Sequence, residues 1–215
     1  MIMSQKRFEE YFAKVVLESC FPDKFVDLHI SDKPDLRYKS VIGIEVTNCM
    51  PKRAVEAFKL WRRVAKQGEQ ISPRIIERLE QLKEVEHDGR GLVWQQGTYT
   101  DNIDDSPIKH FLKAVEKKVE RLNSNNADYA GMESYELFVN SFIFIPDNQV
   151  GAVFKRLQEL NDKMKKFDCI YLLTNEQKLL IFDMLGGMVY PKYLYARLER
   201  IADKAKELYL GVKNG

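Results

Sequence analysis

The stretch Lys33-Pro34-Asp35-Leu36-Arg37-Tyr38-Lys39-Ser40-Val41-Ile42-Gly43-Ile44-Glu45-Val46-Thr47 decides how this chain folds. It sets one acid at the start of a short extended segment and a second acid inside the next, with Lys39-Ser40 as the turn between them. In the second segment Ile42, Ile44 and Val46 alternate onto one face, which leaves Gly43, Glu45 and Thr47 on the other. Two carboxylates brought close across a hairpin repel each other and attract a divalent cation. Asp35 and Glu45 are therefore candidate ligands for Mg²⁺ or Mn²⁺, with the carbonyl of Val46 as a third oxygen donor.

Working outward, the spacing predicts a helix over 4–20, whose stripe is Phe8, Phe12, Val15 and Ser19, and then a strand over 25–30. His29 in that strand reads as a packed residue rather than a base. Residues 52–87 read as helix-rich, with a new helix starting at Ser72-Pro73. A short strand at 92–94 precedes a helix from Ser106-Pro107 to Leu122. The rest reads as a buried strand over 137–145, a helix over 150–166 with Met164 inward, strands at 169–173 and 179–183, and a helical tail over 191–212. This order predicts an α/β fold, a mixed central β-sheet flanked by helices. One domain over 1–215 is expected, with 52–87 as a helical insertion after the hairpin.

Composition narrows the class. Hydrophobic content of 45% and charged content of 31% are those of a soluble globular protein. No run approaches the length of a membrane span, so no membrane partner is expected. The N-terminal segment carries charges throughout and does not read as a signal peptide. Cys20, Cys49 and Cys169 are odd in number and lack metal-ligand spacing, which points to a reducing cytoplasm and structural thiols. A net charge of +2 does not announce nucleic-acid binding, but the basic residues cluster. Lys52, Arg53, Lys59, Arg62, Arg63 and Lys66 form one group, and Lys109, Lys113, Lys117, Lys118 and Arg121 another. Such groups are ordinarily solvated helix faces. Trp61, Trp94, Tyr99 and Tyr129 are candidates for stacking on bases, or core residues.

At this point the chain resembles the PD-(D/E)xK, or restriction-endonuclease-like, superfamily. Pro34-Asp35 matches the first half of its motif and Glu45-Val46-Thr47 the second, with Thr47 where the family usually has lysine. Ile42 to Thr47 also looks like a set of small bacterial and phage proteins placed in that superfamily. The likeness extends in order of elements over most of residues 5–183. It implies a Mg²⁺-dependent nuclease, DNA foremost, with Asp35, Glu45 and the Val46 carbonyl holding the metal. Nucleases of this kind often pair up to cut both strands, so a homodimer is implied too. Some members carry the lysine on a neighbouring helix. Lys118 lies three residues after Val115 and four before Leu122, at the border of the inward stripe, whereas Lys117 points further outward. Lys118 is therefore expected to take that part, and Thr47 to orient a water. The family's first-helix glutamate maps to Glu9, with Glu10 facing away.

The competing reading is a catalytically inactive relative that binds nucleic acid or a protein partner. The absent in-line lysine and the near-neutral charge favour it; a third reading is an unrelated enzyme or an interaction protein in which the Asp35 and Glu45 pair is structural, with Glu45 paired to Lys52 or Arg53.

Overall fold

Ser134 to Asn140 lies beside Ile42 to Asn48 in parallel, and this pairing joins the hairpin to the rest of a seven-stranded sheet. The computed structural model describes residues 5–50, 56, 60, 73–82, 85–87, 92–94, 103, 107–124, 131–141, 143–174, 178–194, 196 and 198–211. Contacts divide the chain into two compact units, Met1–Cys49 with Phe111–Gly215, and Met50–His110.

In chain order the elements are α1 (Gln5–Cys20), β1 (His29–Ile30), β2 (Leu36–Tyr38), β3 (Ile42–Asn48), α2 (Pro73–Gln81), β4 (Val85–His87), β5 (Leu92–Trp94) and α3 (Ile108–Leu122). There follow β6 (Ser134–Asn140), α4 (Asp147–Asn161), β7 (Cys169–Leu173), β8 (Lys178–Asp183), β9 (Met188–Tyr193) and α5 (Leu198–Gly211). The sheet order is β1-β2-β3-β6-β7-β8-β9. The β3, β6 and β7 strands run parallel, and the remaining pairings are antiparallel. The protein is thus α/β with a mixed sheet.

Strand alternation assigns the two faces. Ile44, Val46, Phe138, Tyr171, Leu179 and Ile181 form one core with α1 and α5, whose Tyr11 and Tyr209 rings meet edge to face at 5.8 Å. On the other face Phe182 stacks with Phe111 of α3 at 5.9 Å and with Phe154 of α4 at 6.4 Å. In the second unit, β4 and β5 form a two-stranded antiparallel sheet, and Arg78 of α2 pairs with Glu56 at 2.8 Å. Among the described residues no helix is long and apolar enough to cross a membrane.

Several sequence expectations are corrected. Only His29 and Ile30 of the 25–30 segment are strand, because side chains of α1 take the backbone groups before them: Glu18 accepts from the Leu28 N–H at 2.9 Å, and Lys14 donates to the Leu28 carbonyl. His29 is exposed, 3.4 Å from Asp27. The 137–145 strand lies instead at 134–140. Ser141 ends it, since its hydroxyl donates to the Leu173 carbonyl and accepts from the Ile143 N–H. The next helix ends at Asn161, whose amide clamps both backbone groups of Phe167 at 2.7 and 2.8 Å. Met164 therefore falls in a loop and is 96% exposed. Residues 188–193 are strand, and the last helix begins at Leu198. Val85–His87 is strand within the region expected to be helical. The 52–66 basic cluster, Trp61, Tyr99 and Tyr129 lie outside the described residues.

Candidate functional site

The hairpin brings its two acids together through backbone geometry. Leu36 pairs with Ile44, so Asp35, one residue earlier, stands across from Glu45 on the same face. Lys39 makes the turn at φ 53, and the Val41 N–H closes it on the Tyr38 carbonyl at 3.3 Å. Before β2 the chain folds back on itself. The Ser31 N–H donates to the Asp35 carbonyl at 2.9 Å, the Ser31 hydroxyl to the Pro34 carbonyl, and the Arg37 guanidinium to the Lys33 carbonyl. Gly43 makes room for this fold: a Cβ there would meet Pro34 Cγ at 2.6 Å.

Asp35 also completes the sheet. Because β2 begins at Leu36, the Val46 N–H lies beyond the partner strand, and Asp35 Oδ2 accepts it at 2.8 Å. In an extended strand the N–H and C=O of one residue face the same neighbour. The Val46 carbonyl is therefore directed to the Asp35 edge. Asp35 and Glu45 are 3% and 2% exposed, which makes a partner obligatory for any charge they carry.

That partner is Lys118. Phe111, Val115, Val119 and Leu122 bury one side of α3, and Lys118 borders that stripe with its side chain 12% exposed. Its Nζ donates to Glu45 Oε2 at 2.6 Å and lies 3.6 Å from Asp35 Oδ2. One ammonium thus faces two carboxyl groups. Thr47 is half-buried, two positions beyond Glu45 on the same strand face and opposite Val139. Glu9 is half-buried and accepts from Asn48 Nδ2 at 3.3 Å. By alternation Asn48 shares the face of Ile44 and Val46, so this contact lies on the α1 side of the sheet. Glu10, expected to face away, is the buried acid of that helix at 2% exposure. Arg53, the alternative partner for Glu45, lies outside the described residues.

Sequence reasoning missed a further buried acid, Glu136. Glu136 Oε1 accepts from Lys24 at 2.7 Å and its Oε2 from the Tyr171 hydroxyl at 2.9 Å, while Lys24 also lies 3.0 Å from that hydroxyl. Lys24 rides over the Phe25 ring at 4.8 Å. Burial pushes the Glu136 carboxyl above its usual range, against the opposing pull of Lys24. Burial, reinforced by Glu136, also raises the Tyr171 phenol. The Cys169 and Cys49 thiols are each pushed up to about 12, chiefly by burial, so neither is a nucleophile at neutral pH. The signal for Glu136 was its parity with Phe138 in an alternating run; nothing in the sequence marks Lys24 as its partner.

Among the described residues no group of three or more His, Cys, Asp or Glu side chains is arranged to hold a metal ion. The Asp35, Glu45 and Val46 donors are all oxygen, which suits a hard divalent cation that keeps several waters. Two buried carboxyl groups and a carbonyl converging beside Lys118 are the kind of oxygen set that Mg²⁺ or Mn²⁺ takes, so the residues present fit such a cation. Comparison with known proteins gives no counterpart: no protein family matches the chain, and no curated protein or solved structure matches it.

Proposed function

We propose that the chain is a metal-dependent nuclease of the restriction-endonuclease-like kind, hydrolysing phosphodiester bonds in nucleic acid, DNA foremost. One observation carries the reading: Lys118 Nζ lies 2.6 Å from Glu45 and 3.6 Å from Asp35, on a sheet face otherwise lined by residues such as Leu137 and Val139. A helix, an antiparallel hairpin and then parallel strands joined by helices give the order of elements that supports the resemblance. When bound, the divalent cation polarises the phosphoryl oxygen and makes its water nucleophilic near neutral pH. Asp35 and Glu45 hold that cation by their carboxyl oxygens, and Val46 by its carbonyl. Lys118 supplies the positive charge that the motif lysine would bring, since its flexible stem lets Nζ move from Glu45 to a phosphate oxygen. The Thr47 hydroxyl, on the same face, hydrogen-bonds the attacking water.

The 2.6 Å contact between Lys118 and Glu45 also favours a second reading, in which the ion pair is closed and the domain binds nucleic acid or a protein without cutting. Calorimetric titration with Mn²⁺ separates the two. The nuclease reading expects binding that disappears in Asp35→Ala and in Glu45→Ala, and cleavage of DNA that disappears with it. No binding at millimolar Mn²⁺ overturns the nuclease reading in favour of the closed pair.

A further inference from the structure

The charges on the outer side of α3 are sorted into columns. Lys113, Lys117 and Arg121, all exposed, follow one another at four-residue spacing, a step of about 6 Å along the axis. Glu116 and Glu120 form a separate exposed column. At 3.6 residues per turn the basic column falls between those acids and the edge carrying Lys118. Arg121, about 60° round the helix from Lys118, is the member of the column nearest the Asp35 and Glu45 site.

A second group of cations lies past the end of the helix. Asn123, just past the end of α3, donates to the Lys165 carbonyl at 2.7 Å and accepts from the Lys165 N–H at 2.9 Å. This pair of bonds fastens the loop between α4 and β7 to the end of α3. Lys163, Lys165 and Lys166 of that loop are exposed, with Asp162 at its margin. Three cations of α3 and three of the loop thus lie on either side of the Asn123 and Lys165 bonds, Lys166 lining a hollow with Glu159, Asp162 and Asp168, and Met164 is the one exposed apolar side chain among the loop lysines. A protein interface would need an apolar centre depleted of charge. A regular run of cations with little apolar surface matches a phosphodiester backbone instead.

We propose that Lys113, Lys117, Arg121, Lys163, Lys165 and Lys166 form the surface on which duplex DNA lies, its backbone following α3 towards Lys118. The identity of the polyanion rests on the nuclease reading, but the binding itself does not need the metal. The test is fluorescence anisotropy of a labelled duplex of about 20 base pairs, two helical turns, titrated in EDTA over a series of salt concentrations. The wild type binds with an affinity that falls linearly in log salt. The triple variant Lys117→Gln, Arg121→Gln, Lys165→Gln loses three cations, and its slope becomes shallower by about 2 to 3. The control triple Arg200→Gln, Lys204→Gln, Lys206→Gln removes three exposed cations of α5 and retains the wild-type slope. Equal flattening in both triples would mean diffuse attraction and overturn the proposal, as would absence of duplex binding by the wild type at low salt. A duplex RNA of the same sequence distinguishes the source of the backbone: tighter RNA binding overturns the assignment to DNA. EDTA keeps divalent metal out, so failure here leaves the Mn²⁺ titration unaffected, and failure of that titration leaves this slope unaffected.

Discussion

Glu45 and Glu136 lie on adjacent parallel strands, Glu45 opposite Leu137 and Glu136 opposite Ile44, so their side chains leave the sheet by opposite faces. Both are buried and both meet a lysine from outside the sheet. Their surroundings differ in stoichiometry. Glu136 stands with one ammonium and one phenol, and each of its oxygens has a donor. Glu45 shares the Lys118 ammonium with Asp35, whose Oδ2 also accepts from a backbone N–H. A buried acid matched one to one with its donors closes a structure. At Glu45 two buried acids converge on Lys118 instead.

Removing each lysine breaks the comparison most directly. Lys118→Met takes the ammonium away from two buried carboxyl groups, and unfolding in urea is expected to show a loss of about 3–5 kcal/mol. Mn²⁺ is expected to restore much of that loss, because a ligand of the native state stabilises it by mass action. Lys24→Met costs less, about 1–3 kcal/mol, because Lys24 is 41% exposed and Tyr171 still donates to Glu136. Mn²⁺ should restore nothing there. Equal rescue of both variants would mean that the two faces bind cations indiscriminately, and the distinction between them would fall.

Gly43→Ala sharpens the comparison from the backbone side. The new methyl group would enter the space of Pro34, a ring in a fold already tied by the bonds of Ser31 and Arg37. Overpacking of this kind costs about 1–3 kcal/mol. The displacement reaches Asp35, the next residue, but not Glu136 on the far face. Mn²⁺ affinity should therefore fall by calorimetry while the Lys24 and Glu136 pair persists. Unchanged affinity would show that Asp35 does not depend on the Pro34 fold for its position.

The hairpin acids and Lys118 were legible because each follows from a short-range period: alternation in β3, and the apolar stripe of α3 that Lys118 borders. The central helices and β7 were legible for the same reason. What the sequence hid depended on distant partners or on edges. β9 carries Pro191 and an exposed pattern, and a proline at the edge of a sheet looks like the start of a helix until its neighbour is known. Leu137 to Ile145 looks like one strand, and only the Ser141 bond to Leu173 shows where it stops. Glu136 fell in the part of β6 that precedes the aromatic run, and Lys24 sits 112 residues before it in a loop. No local period connects such a pair.

The smallest expected effect is the most specific to the Glu136 face. Burial raises this carboxyl above its ordinary value of 4.5, so the native protein holds that proton more tightly than the unfolded chain does. The stability contributed by the site is then fully present below the unfolded value and is lost as pH rises through the raised native one. Glu136→Gln keeps an oxygen to accept from Lys24 and an amide to meet Tyr171, but it has no proton to lose. Wild-type stability relative to this variant should therefore be greatest in acid, fall as pH rises from the ordinary carboxyl value of 4.5 through the raised native one, and then level off, as read from urea midpoints. A flat difference would mean that Lys24 offsets the whole desolvation of the carboxylate. A difference that grew with pH would mean that the ion pair outweighs burial. Glu136 would then have the electrostatics of a site that welcomes charge, and the two faces of the sheet would differ in the number of acids alone.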